Sequence, residues 1–309
     1  MNENQSEKKL SPDEMKAVMS ESGMWLLTPE DAAYPELLRR IADPPKALYV
    51  RGEIPRGNCV AIVGSRRDTR YGRQQAFAIA KGLAENDVTV ISGMARGIDT
   101  AAHEGALAGG GKTVAVLGCG ADVCYPPENK VLMENILYSG GAVISEYPPG
   151  TQPLAYHFPL RNRIISGLSH ALLLIEARLK SGTNSTVNYA LDQGREVFSL
   201  PGNVDAPGSE LPLKLLKEGA LLCTSAEDIL LSMGWKTEGS EIENFAEQMS
   251  FTDSDDPILR ALALEEKTFE ELAEETGLSP GDLSAALTLL EMEDTIEKRA
   301  GRAYALKKK

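Results

Sequence analysis

The stretch from His157 to Ser169, HFPLRNRIISGLS, places two arginines around an asparagine directly before an apolar run. A guanidinium fork matches phosphate oxygens in a bidentate way. The apolar run predicts a helix whose first turn is Arg161, Asn162 and Arg163, and free N–H groups at a helix start favour an anion in the same place. Just upstream, Tyr156, His157 and Phe158 offer a stacking face for an unpaired base. The structural alternative is that Phe158 and Pro159 pin the loop to the core while one arginine pairs with Glu146.

Two further turns repeat this chemistry. In AIVGSRRDTRYGRQQA an apolar run, a turn and a helical pattern follow one another, so Gly64, Ser65, Arg66 and Arg67 fall where an anion would sit against helix amides. Arg70 and Arg73 read as solvated helix residues. In EARLKSGTNSTVNYALDQG the turn is Lys180, Ser181, Gly182 and Thr183, with Thr186 one turn into the next helix. The run VTVIS ends in Ser92 and is followed by Gly93, with no acidic residue to take a ribose hydroxyl, and the first turn is not G-x-G-x-x-G. A dinucleotide site is therefore not supported. In SGMARGID, Gly93 and Gly97 permit close backbone approach, and Asp99 is placed to cap the following helix, in which His103 reads as a packing residue. Three cationic or hydroxyl-rich turns suit several phosphates, as in a strand lying across them, better than one nucleotide.

Hydrolytic chemistry has little support. The histidines are His103, His157 and His170, and no Ser, His and acid set falls on loop ends. Glu146 and Glu176 end apolar runs and could act as acid and base, but read better as partners of neighbouring arginines. Cys119 and Cys124 match no common zinc spacing, while Cys59 and Cys223 lie in strand-like runs. No catalytic residue, metal or cofactor is expected.

These turns need a frame that lines them up. Apolar runs at 59–64, 88–92, 113–118, 142–146, 171–177, 196–202 and 220–224 alternate with helical patterns such as GRQQAFAIAKGLAEN and PENKVLMENILYSGG. Continuous apolar strands separated by helices predict an α/β fold, a doubly wound, Rossmann-like parallel sheet that binds ligands beyond its strand ends. Residues 1–57, with Pro35, Pro44 and Pro45 between short apolar pieces, read as a short irregular cap leading in. Residues 58–235 form the Rossmann-like domain. Residues 236–255 are acidic and weakly periodic, as in a linker. Residues 256–309 read as three short helices and a hairpin turning at Ala300-Gly301, a small winged-helix domain.

The 309 residues carry a net charge of -13. An acidic chain argues against a polyanion partner. Its distribution reverses the argument: residues 1–57 hold 8 basic and 10 acidic side chains, 58–224 hold 15 of each, and 225–309 hold 9 and 20. The central region can therefore present a local positive patch. The polar N-terminus and the lack of any apolar run of about 18 residues predict a cytoplasmic protein with no membrane association.

The motifs VGSRRDTRYG, SGMARGIDTAAHEGAL, VAVLGCGADVCYPPEN, SEYPPG, HFPLRNRIISGLS and EARLKSGTNSTVNYALDQGREVFSLPGN, in this order, closely resemble the bacterial DNA-processing protein DprA (Smf) family. The resemblance runs from about Trp25 to Leu230, and the tail resembles that family's winged-helix appendage. It implies an extended Rossmann fold, a homodimer, and binding of single-stranded DNA without a chemical reaction. It also implies protection of incoming DNA and loading of the recombinase RecA onto it during natural transformation. Carried over by motif, the DNA pocket would comprise Gly64, Ser65, Arg66, Arg67, Ser92, Gly93, Phe158, Arg161, Asn162, Arg163 and Lys180 through Thr183. Only 24 residues precede Trp25, where many family members carry a helical domain. The expected recognition helix, SPGDLSAALTLLEMED, has no basic residue, so this winged helix is expected to meet protein, although Lys298, Arg299 and Arg302 follow it. A competing reading is a Rossmann-like nucleotide hydrolase with a P-G-G-x-G-T-x-x-E loop. Here the comparable loop has Thr186 where that glutamate would stand. A transcriptional regulator acting through the winged helix is weaker still.

Overall fold

The computed structural model describes residues 11–236, 256–262, 266–292, 295–298 and 303–306. Two compact units divide the chain, Met1–Met233 and Gly234–Lys309.

The first unit is built on strands β1 (Met24–Leu27), β2 (Leu48–Gly52), β3 (Cys59–Val63), β4 (Thr89–Ser92), β5 (Thr113–Leu117), β6 (Ala142–Ser145), β7 (Ala171–Leu174), β8 (Glu196–Ser199) and β9 (Leu221–Leu222). They form one sheet in the order β1-β2-β6-β5-β4-β3-β7-β8-β9. From β6 to β9 every pairing is parallel. Every residue of β3 and β5 is buried, as a sheet covered on both faces requires. Residues of alternate parity point to opposite cores: Val114 and Val116 to one, Ala115 and Leu117 to the other. The lead-in is not irregular. Its apolar pieces become β1 and β2, which pair antiparallel with each other and extend the sheet beyond β6.

The helices are α1 (Pro12–Glu21), α2 (Glu36–Arg39), α3 (Arg70–Ala84), α4 (Ile98–Ala108), α5 (Lys130–Tyr138), α6 (His157–Gly167), α7 (Thr183–Asp192), α8 (Glu210–Lys217) and α9 (Ala226–Ser232). The chain goes from β3 outward through β4, β5 and β6, then returns to place β7 on the other side of β3. This reversal is the topological switch point, where the turns after β3 and β7 open a crevice at the carboxyl ends of the strands. Two expectations need correction. Helix α6 begins at His157, four residues before Arg161, because Pro159 is tolerated in a first turn whose N–H groups have no helical acceptor. At α4 the N-cap is Gly97, with φ of 80°, and Asp99 lies inside the helix.

The second unit contains α10 (Pro257–Leu262), β10 (Lys267–Thr268), α11 (Phe269–Thr276), α12 (Pro280–Met292), β11 (Ile296–Lys298) and β12 (Ala303–Leu306). The strands form a sheet in the order β10-β12-β11. Ile258, Leu272, Leu283, Leu287, Ile296 and Tyr304 build its core. Thr268 and Glu271 form a capping box on α11, and Gly277 ends it with φ of 67°. The expected linker, from residue 237, and the Ala300-Gly301 turn lie outside the described residues.

Candidate nucleic-acid interface

The turn after β3 is held by its neighbours at the switch point. The Ile98 N–H donates to the Ser65 carbonyl at 3.2 Å. A Cβ on Gly97 would lie 2.3 Å from that same oxygen, so glycine is required there. The Ser65 hydroxyl accepts the Arg67 N–H at 3.0 Å. Held this way, Arg66 and Arg67 stand exposed. From across the crevice the Thr183 hydroxyl donates to the Gly64 carbonyl at 3.1 Å, joining the turn before α7 to the turn after β3. Asn162 on α6 donates to the Ser185 hydroxyl at 2.9 Å, bringing the third motif alongside. Gly64 through Arg67, Phe158, Asn162 and Lys180 through Thr183 thus share one rim.

Phe158 stands at the centre of this rim. Its ring lies 5.4 Å from the Arg66 guanidinium carbon and 6.0 Å from that of Arg161, both within cation–π range. It covers Gly118 at the end of β5, where a Cβ would come within 3.0 Å of the ring. Tyr125, which the motif reading did not single out, places its ring 5.5 Å from that of Phe158. The only sequence signal was its place in the loop after β5, on the same strand-end edge. Tyr156 is 62% exposed, whereas His157 is buried, stacked on Tyr147 with centroids 3.8 Å apart. Of the three adjacent aromatics, only Tyr156 and Phe158 show a face.

Four of the expected residues form a layer beneath the rim. Ser92 is buried and donates to the Ile62 carbonyl at 2.7 Å. Arg161 is buried and donates to the carbonyls of Gly93 and Val116, at the ends of β4 and β5. Gly93 leaves room for this layer, since a Cβ there would come within 2.8 Å of the Asp99 carboxylate and the Arg161 guanidinium, which would have to shift. Asp99 accepts the N–H groups of Gly93 and Ala95 at 3.1 and 3.3 Å. Burial pushes the Asp99 carboxyl up to about 6 despite the opposing pull of Arg161. Burial likewise pulls the Arg161 guanidinium down to about 10. Arg163 donates to both Glu146 oxygens, at 2.8 and 2.7 Å, and through Nε to the Asp43 carbonyl at 3.0 Å. The fork foreseen for phosphate is occupied by a carboxylate of the same chain.

The carboxylates are committed too. Glu176, expected beside an arginine, instead accepts the Thr69 N–H at 2.9 Å and the Thr69 hydroxyl through its other oxygen. It occupies the N-terminal end of α3, where an anion is favoured by the helix amides and dipole. Thr186 is 2% exposed, so no acid stands where the hydrolase loop would need one. His103 and His157 are buried, and His170 accepts the Cys59 N–H at 3.2 Å. Among the described residues no His, Cys, Asp and Glu cluster could hold a metal ion. What the rim offers a ligand is charge: among the described residues Arg66, Arg67, Arg178 and Lys180 are exposed and carry no ion pair, whereas Arg73 pairs with Asp68 at 2.7 Å.

A sequence profile of the DNA recombination-mediator protein A family matches residues 25–234, and a profile of the DprA winged helix domain matches residues 247–302. The chain belongs to the DNA recombination-mediator protein A family. Within it, protein Smf of Escherichia coli K12 is 47% identical over 207 residues, which are 66% of this chain and 55% of that protein. Just over half of the Smf sequence is thus spanned. The X-ray structure of DNA processing protein A from Streptococcus pneumoniae superposes with a TM-score of 0.63 at 41% identity, covering 70% of this chain and 77% of that one. DNA processing protein A from Helicobacter pylori, in a structure described as giving insight into its single-stranded DNA binding mode, superposes with a TM-score of 0.60 at 31% identity, covering 68% and 95%. The DprA architecture, a mostly parallel α/β sheet with a winged helix, is the one found here.

Proposed function

We propose that this DprA-family chain binds single-stranded DNA along the carboxyl-end edge of its sheet, as a binding protein and not an enzyme. The observation that carries the reading is the rim itself: Arg66 exposed beside the half-buried ring of Phe158, with Arg67 and Lys180 exposed and without an ion pair on the turns after β3 and β7. Charges of this kind follow a phosphate backbone, and an aromatic face accepts any base. Asn162 and Thr183 join the turns across the crevice and add polar groups there, with Gly182 between Ser181 and Thr183 leaving backbone exposed to the rim. Ser92, Gly93, Arg161 and Arg163 serve as the support on which the rim rests. The described single-stranded DNA binding of the Helicobacter pylori relative agrees with this assignment. In the same reading the chain acts in the cytoplasm as a homodimer, protects incoming single strands and loads RecA onto them in natural transformation.

The test is fluorescence anisotropy of labelled single-stranded and duplex oligonucleotides at two salt concentrations, with wild type and R66A/R67A. The single strand should bind more tightly and lose affinity with salt. Each phosphate neutralised contributes a slope of about −0.7 on logarithmic axes, so the double variant should flatten the slope by about 1.4. Unchanged affinity in the variant would overturn the reading. Loading is measured by adding RecA to the bound strand and timing filament formation.

A further inference from the structure

We propose that Glu176 is a positioning residue for DNA binding: its buried carboxylate clamps the turn after β3 to the end of β7 and so aims Arg66 and Arg67. The inference rests on the single-stranded DNA reading above. Glu176 lies just past β7, two residues before Arg178, and is 7% exposed. Its carboxylate reaches 107 positions back along the chain to Thr69, accepting both the backbone N–H and the hydroxyl. The Thr69 hydroxyl in turn accepts the Gly72 N–H at 3.0 Å, so one carboxylate organises the whole start of α3. Gly72 makes room for it, because a Cβ there would lie 2.3 Å from the Glu176 carboxyl carbon. The next residue anchors the backbone that carries the carboxylate: the Ala177 N–H donates to the Gly208 carbonyl at 2.8 Å, and the Ala177 carbonyl accepts the Leu211 N–H at 3.1 Å. The two loops that carry the unpaired cations are therefore joined through Glu176. A negative group beneath a surface that binds a polyanion is electrostatically adverse, and the geometry it imposes on the turn offsets that cost.

This opposition makes the sign of the effect decisive. If Glu176 acts on DNA only as a charge, both E176Q and E176A raise affinity for a labelled single strand, because a repulsion is removed. If it positions the turn, E176A lowers affinity by about tenfold, and E176Q, which keeps the shape and one acceptor, falls between E176A and wild type. The loss should also depend on what is being aimed. In an R66A/R67A background, E176A should have little further effect. An equal loss in both backgrounds would mean general damage and overturn the proposal, as would any gain in affinity. Amide hydrogen exchange of the full chain without DNA gives a second readout. E176A should speed exchange at Thr69 and Gly72 while the amides of β3 and of the middle of α3 stay protected. No local change would overturn the clamp even if wild type bound no DNA, an outcome that by itself would refute only the functional reading above.

Discussion

At the scale of single residues, burial separates arginines that the sequence makes look alike. Arg163 has a side chain only 10% exposed, and its Glu146 partner is 18% exposed. Removing one member of such a pair strands the other charge, so R163A should cost about 3 to 5 kcal/mol in urea denaturation. R66A, at an exposed residue, should stay within about 0.5 kcal/mol of wild type while weakening the single-stranded complex. A loss of DNA binding in R163A therefore has to be measured below its unfolding transition. His103 offers a separate test. The Thr113 hydroxyl donates to the Val90 carbonyl at 2.7 Å, so it must accept from His103 Nδ1–H, and Nε2 has no partner among the described residues. Burial, followed by the Arg161 charge, pulls His103 down from 6.5 to about 3. The unfolded chain then takes up a proton near pH 6.5 that the folded chain refuses, so this stability is present above that pH and lost as pH falls toward the folded value. Asp99, raised from 3.8 to about 6, works the other way, its contribution being lost as pH rises through that range. Denaturation curves should therefore show H103N shifting in its favour, relative to wild type, by about 2 kcal/mol between pH 7 and pH 5.

At the scale of elements, glycines set how closely helices and turns approach. A Cβ on Gly105 of α4 would lie 2.2 Å from the Phe77 carbonyl of α3, a backbone atom that cannot swing aside. G105A should force the two helices apart and cost about 1 to 3 kcal/mol, read from the midpoint of chemical denaturation. Most elements were legible beforehand. The runs VTVIS, TVAVLG and AVISE contain β4, β5 and β6 because strands buried on both faces are near-continuously apolar, and the hydroxyls of Ser92, Thr113 and Ser145 among them donate to backbone carbonyls. The start of α6 was not legible, because Pro159 looks like a helix boundary although it is compatible with a first turn. Nor was the lead-in, where β1 and β2 are short, β1 being held by pairing with β2 and β2 by pairing with β6, which follows roughly 90 residues later in the chain.

At the scale of the whole molecule, two compact units with separate cores should unfold separately. L283A, at a fully buried residue of the smaller core, should cost about 2 to 5 kcal/mol and move only that unit's transition in calorimetry of the full chain. The net charge of -13 is concentrated in the tail, so the central unit is free to present a local positive patch while the chain as a whole remains acidic. On α12, Leu289 and Met292 are 59% and 79% exposed, Asp282 and Glu291 are exposed as well, and the helix itself carries no cation to offer DNA. Composition and periodicity alone determined the α/β class, the order of the parallel strands along the chain and the loops at their carboxyl ends, because these depend on local pattern. Which cations remain free was decided only by the tertiary structure. Arg66 and Arg163 sit in equally suggestive motifs, yet the partner that takes one of them out of play, Glu146, comes from a different loop and is identified only when the sheet brings the loops together.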